Sequence, residues 1–191
     1  KNISIFNTNF TTMEILRQYW WLILLALALL GCFVTVNQGF IGVVTMFGKY
    51  RRIMRPGLNF KIPFLERIYK KVSIQNRSVE LEFQAVTIDQ ANVYFKSMLL
   101  YSVQNESAET IQKVAFKFIS DKDLMQALIR TVEGSIRAFV ATKRQAEILT
   151  ARREIVEYVK EQIDHSLEEW GYHLQDLQIN DITFDQQIME S

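Results

Sequence analysis

The sequence predicts an α+β fold carried on a single N-terminal transmembrane helix. Three observations predict it. Residues 18–48 carry no charge and enclose an all-apolar segment; the next part alternates apolar with polar residues; the last part repeats apolar residues every three or four positions. The resulting domain is a mainly antiparallel sheet with helices packed on it.

The apolar segment, 19–36, is read as the transmembrane helix, with Tyr19, Trp20, Trp21, Leu25, Leu29 and Phe33 as membrane-anchor positions. A helix of that length rises roughly 27 Å, close to the hydrocarbon thickness of a bilayer. Every face is apolar, where a buried soluble helix would keep a polar stripe. Trp20 and Trp21 at one end fit an interfacial aromatic belt. The run exceeds a signal peptide's apolar region, and no Ala-x-Ala site follows it. Leu29-Leu30-Gly31-Cys32 only loosely resembles a lipobox. Cys32 is the single cysteine, so it forms no intrachain disulfide and is read as a small apolar residue of the span. Before the span, 1–18 is either a short helix capped by Thr11 or Thr12 or a disordered leader. Lys1 and Arg17 precede the span, against Lys49, Arg51, Arg52 and Arg55 after it. That excess places the domain more on the cytosolic than the periplasmic side.

Composition bounds the remainder. The 191 residues hold 22 Lys and Arg against 21 Asp and Glu, a net charge of +1, which gives no basic field for nucleic acid. Two prolines and seven glycines exclude a low-complexity chain.

Beyond the span, 39–48 is rich in β-branched and aromatic residues and reads as a strand beginning at the membrane surface. Pro56-Gly57 marks a turn, 58–62 a second strand, and 68–78 a third that continues in pattern through Leu81, Phe83, Val86 and Ile88. A hairpin turn at 89–92 leads into a long strand over 93–103. Helical periods follow over 106–114, then from a cap at Asp121 with Leu124, Leu128, Val132, Ile136 and Phe139 on one face. A third runs over 150–170, with Ile155, Val159, Ile163, Leu167 and Trp170 on one face and Gly171 as its stop. A closing strand carries Leu174, Leu177, Ile179, Ile182 and Phe184, with a register break near Asp176. The divisions expected are a leader at 1–18, the transmembrane helix at 19–36, a membrane-proximal β-rich part at 37–88, an α/β part at 89–184 and the opening of a coiled-coil helix at 185–191.

Two stretches follow the span in order: Asn37-Gln38-Gly39-Phe40-Ile41-Gly42-Val43-Val44 through Lys49-Tyr50, then Arg55-Pro56-Gly57-Leu58-Asn59-Phe60-Lys61-Ile62-Pro63-Phe64. Later come Ala91-Asn92-Val93, Ile148-Leu149-Thr150-Ala151-Arg152-Arg153-Glu154-Ile155, Trp170-Gly171-Tyr172 and Leu177-Gln178-Ile179-Asn180-Asp181-Ile182. In this order and spacing the set resembles the SPFH or band 7 superfamily of stomatin, prohibitin, flotillin and HflK/HflC, closest in pattern to bacterial stomatin-like members. The resemblance implies a membrane-anchored scaffold in a ring or cage of itself or a close homologue, organising a membrane microdomain. It also implies regulating or enclosing other membrane proteins such as an AAA protease. The alternative is an anchored binding module, or an accessory subunit of an enzyme whose catalytic part lies elsewhere.

No catalytic constellation competes with that reading, and neither a cofactor nor a metal is expected. His165 and His173 lack partners at metal-ligand spacing, Glu80 and Glu82 alternate on a solvated strand face, and no P-loop, serine elbow or His-Glu-x-x-His occurs. Lys49, Arg51, Arg52 and Arg55 are candidate membrane-surface contacts. Phe60, Ile62, Pro63, Phe64 and the adjacent Leu65 either dip into the interface, as that region does in the family, or form a core strand and turn. Arg153 with Glu157 and Lys160 with Asp164 are candidate oligomer contacts.

Overall fold

The computed structural model describes residues 3–185. The order is α1 (Ile3–Leu30), β1 (Phe33–Val36), β2 (Phe40–Met46), β3 (Lys49–Met54), β4 (Gly57–Phe60), β5 (Glu66–Ser73), β6 (Arg77–Val86), β7 (Asn92–Val103), α2 (Ala108–Lys117), α3 (Asp121–Val140), α4 (Gln145–Ile148), α5 (Arg152–Glu169) and β8 (Tyr172–Phe184). The expected coiled-coil opening at 185–191 lies, after Asp185, outside the described residues.

The helix expected over 19–36 is displaced toward the N-terminus. It takes in most of the 1–18 leader, so Thr11 and Thr12 lie inside α1 rather than at its cap, and it stops at Leu30. Gly31 and the β-branched run Val34, Thr35 and Val36 favour a pleated conformation over a helical one. That run is β1, antiparallel to β4 with Phe33 opposite Phe60 and Val36 opposite Gly57. Phe33 is therefore a strand residue and not part of the helix. The stretch Thr11–Leu30, 20 residues at a mean hydropathy of 1.5, is long and apolar enough to cross a membrane, and none of it is buried against the domain. Trp20 and Trp21 fall near its middle, not at an end.

Three antiparallel sheets follow: β1-β4, β3-β2-β5 and β6-β7-β8. β2 is buried on both faces. Ile41 and Val43 join the main core with Val72, while Val44 packs with Val36 and Met54 in a smaller one. Gly42 permits that second contact, since a Cβ there would stand 3.4 Å from the Met54 Cβ. The single strand expected over 68–78 is two strands: β5 ends at Ser73, and β6 begins at Arg77 in another sheet. A division at 88/89 would cut the β6–β7 hairpin, so the sheets part at 74–76 instead.

The remaining elements lie close to expectation. The Thr87 amide donates to the Ala91 carbonyl at 2.9 Å, closing the hairpin turn with Gln90 at φ 64°. α3 starts one residue before the expected cap at Asp121: Ser120 is its N-cap and Ser107 that of α2, each side chain accepting the amide three residues on at 3.3 Å. Leu124, Leu128, Val132, Ile136 and Val140 are fully buried on α3, Val140 taking the place expected for Phe139. Ile155, Val159, Ile163 and Leu167 do the same on α5. Gly171, at φ 87°, ends that helix where a Cβ would meet Val114 at 2.8 Å. The break near Asp176 is present: Leu100 faces Asp176 but Tyr101 faces Leu174. A bulge there keeps Leu174 and Leu177 both on the buried face.

Candidate membrane-facing site

Only Gly31 and Cys32 separate α1 from β1. The Gly31 amide donates to Leu27 O at 3.1 Å, the Cys32 amide to Leu29 O at 3.2 Å, and the Cys32 thiol to Ala28 O at 3.1 Å. From the strand side, the Lys61 amide donates to Cys32 O at 2.6 Å. Phe33 and Phe60 meet edge to face at this junction, ring centres 6.1 Å apart, both about half exposed. β1 leads away from α1, and a turn in which the Phe40 amide donates to Asn37 O sends β2 back. The β2–β3 turn and the 61–65 loop thus return toward the foot of the helix.

Those two returns end in phenylalanines with unusual backbones. Met46 pairs with Lys49, so Phe47 and Gly48, at φ 51° and 78°, are the two central residues of a hairpin turn with positive φ at both. Phe64 stands at φ 69°. Bulky residues rarely adopt this region, and both rings point outward: Phe47 is 79 % and Phe64 104 % exposed. With Leu65, Tyr69 and Phe116 they border one groove of about 540 Å³. Leu58 and Phe60 add exposed apolar surface on β4. Ile62 and Pro63 are half-buried. The exposure of Phe60, Phe64 and Leu65 sets aside the core-strand alternative for those three.

Behind this rim lies a buried carboxylate. Glu66 accepts from Arg52 Nη2 at 2.9 Å and from the Ile62 amide at 3.0 Å, and pairs with Arg51 Nε at 2.9 Å. Arg52 Nη2 also donates to the Phe60 carbonyl. The Arg52 hydrogen bond, ahead of the Ile62 amide and the two positive charges, holds the Glu66 carboxyl below the usual range, against the opposing effect of burial. Arg51 and Arg52, expected from the sequence as membrane-surface contacts, are instead both engaged by Glu66. They anchor the rim loop, each with part of its guanidinium still exposed. Arg55 pairs with Glu106 at 3.4 Å on the surface, and Lys49 sits exposed at the β2–β3 turn.

Elsewhere the candidate residues separate. Arg153 and Glu157 pair within α5 at 3.7 Å. Lys160 pairs with Asp176 of β8 at 3.3 Å, not with Asp164, which approaches His173 at 3.9 Å. The Lys160 and Asp164 contacts join α5 to β8. His165 is exposed, Glu80 and Glu82 lie on the open face of β6, and no group of three or more metal-ligating side chains occurs among the described residues. Sequence reasoning missed Phe47, Leu58 and Glu66. Phe47-Gly48 carries a faint hairpin signal, but the arginine partners of Glu66 lie 14 and 15 residues away and leave no local trace.

The SPFH domain / Band 7 family model matches residues 34–191. The chain is 25 % identical over 82 % of its length to a band 7 family protein of Acanthamoeba polyphaga mimivirus, 49 % of which is covered. It is 25 % identical over 71 % of its length to mouse stomatin, covering 45 % of that protein. It is 26 % identical over 65 % of its length to the modulator of FtsH protease HflK of Escherichia coli, covering 28 %. The chain spans less than half the length of each of these three relatives.

Proposed function

Because the chain belongs to the SPFH domain / Band 7 family, we propose that it is a membrane-anchored, non-catalytic scaffold. It assembles with itself or a close homologue into a large oligomer that organises its membrane patch and regulates neighbouring membrane proteins. The observation that carries this reading is the continuity of apolar surface. A helix long enough to span, exposed on every side, runs directly into a rim of exposed phenylalanines. A two-stranded ribbon with open edges has no place in hydrocarbon, so β1-β4 sits at the interface and Thr11–Leu30 is the span. Phe60, Phe64 and Phe47 then rest among the headgroups, with Lys49 and Arg55 beside them. The Lys and Arg excess after the span supports a cytosolic domain. Likeness to stomatin and to HflK supports a scaffold or regulator, with a membrane-bound protease among the partners to test.

Light scattering on the detergent-solubilised chain tests the assembly. A complex of many protomers is expected. A monomer at micromolar concentration would replace the scaffold with a simple anchored binding module.

A further inference from the structure

At the opposite end of the domain from the phenylalanine rim, the two three-stranded sheets part. The start of β2, the end of β5 and the 74–76 connection meet the first residues of β6 and β8 and the N-terminus of α3 around a cleft of about 370 Å³. Its size is that of a pocket for a small molecule. Lys70, Lys71 and Arg77 line it against one carboxylate, Asp121. Lys70 and Lys71 have no ion-pair partner among the described residues. Arg77 reaches Asp121 only at 3.6 Å, too far for a hydrogen bond, so its planar donor fork is largely unspent. The Tyr172 ring forms part of the wall, with Phe40 on the β2 side.

A second observation comes from beneath this wall. Tyr101 is fully buried and its hydroxyl has no hydrogen-bond partner among the described residues. Its ring meets that of Tyr172 edge to face at 5.5 Å, and the Arg77 guanidinium lies over it at 6.0 Å. Burial raises both phenols above their ordinary value, so each stays a protonated donor at neutral pH. Buried donors are normally satisfied, and a cleft whose charged lining is three cations, Lys70, Lys71 and Arg77, against one carboxylate, Asp121, asks for an anion.

We propose that this cleft binds the phosphate group of a small phosphorylated molecule, gripped by Arg77 with Lys70 and Lys71 and oriented by the Tyr172 hydroxyl. Phosphate suits the planar guanidinium fork and the two ammonium groups better than a monovalent carboxylate does. The ligand would bridge the two sheets across 74–76, where no other covalent connection joins β5 to β6. A free phosphate ester and a lipid headgroup offer the same chemistry. The position of the cleft, away from the rim, favours the soluble source.

The test uses the full chain in phosphatidylcholine nanodiscs. Inorganic phosphate and then glycerol 3-phosphate are titrated by calorimetry at fixed ionic strength, with chloride as the exchanged ion. Saturable binding is expected, weakened about tenfold in Arg77→Gln by loss of a charged contact. Tyr172→Phe keeps the ring and its packing, so its severalfold weakening is read in a folded protein; Arg153→Gln should bind as wild type does. Non-saturable heats, or equal affinity in wild type, Arg77→Gln and Tyr172→Phe, would overturn the site. Vesicles of phosphatidylcholine with phosphatidic acid are then added as competitor. No displacement identifies a soluble ester, whereas displacement upholds the site and assigns its phosphate to lipid. Neither readout depends on the size of the assembly.

Discussion

The sheets β3-β2-β5 and β6-β7-β8 are both three-stranded and antiparallel, yet they meet the demand for burial differently. In β6-β7-β8 the inward residues Leu81, Phe83, Phe95, Leu99 and Tyr101 are covered by α3 and α5, whose own apolar stripes are fully buried. The outward face carries Glu80, Glu82 and Lys96 in water, with Val86 and Tyr94 exposed among them. This half completes its core with its own residues. In β3-β2-β5 the covering layer is thinner: β2 shares one face with α2 and closes the other with Val36, Val44 and Met54. A buried charge cluster around Glu66 fixes the adjoining loop, and large aromatic side chains remain outside. On the membrane-anchored reading proposed above, the bilayer interface is the second solvent that would supply burial for these uncovered apolar residues.

The comparison breaks first if the self-sufficient half is not the stability core. Leu128→Ala should cost about 2–5 kcal/mol, read as a shifted denaturant midpoint of the solubilised protein. A charge near the middle of the span tests the other half's dependence on lipid. Leu22→Arg should cost about 2.5–3.5 kcal/mol on insertion scales and release the protein from alkaline-washed membranes or prevent its accumulation. Full retention would mean that the helix is not what holds it.

Next in size is the charge cluster. Glu66→Gln should cost about 1–3 kcal/mol by weakening the bonds from Arg51, Arg52 and Ile62. It also carries a pH signature. A carboxyl depressed in the folded state contributes stability that is complete above its unfolded value near 4.3 and disappears as pH falls through the lower folded value. Wild type should therefore lose stability below about pH 4.5 more steeply than Glu66→Gln does. Parallel acid limbs would remove Glu66 from the account. The smallest effect on stability belongs to Phe64→Ser, within about 0.5 kcal/mol. In nanodiscs, however, backbone amides of 61–66 should exchange faster in this variant than in wild type. A destabilisation matching that of Leu128→Ala would make the loop core after all.

Periodicity revealed the self-sufficient half well. Over 93–103, and at Leu124, Leu128, Val132 and Ile136, each residue's environment is set by neighbours two, three or four positions away, a range the sequence displays directly. Even the slip near Asp176 was visible as two apolar residues falling out of step. The membrane-facing half was less legible because its determinants are distant or absent from the chain. Tyr50, Arg52 and Met54 alternate as a strand, but Arg51 and Arg52 read as surface charge until Glu66 is placed between them. The apolar run continues unbroken past Leu30, so hydropathy alone could not say where the helix becomes β1. The preference of 34–36 for a strand takes effect only because β4 is there to pair with it.

The joint at Gly31 and Cys32 has a mechanical consequence. Hydrogen bonds reach it from both the last helical turn and Lys61, the construction of an elbow and not of a free tether. Spanning helices meet a thinner or thicker bilayer by changing their tilt, commonly about 20° from the normal. A lever fixed to the domain at such an elbow converts that tilt into rotation of the whole domain against the headgroups. With Thr11–Leu30 as the proposed span, membrane thickness would become an angle presented to whatever lies beside the domain.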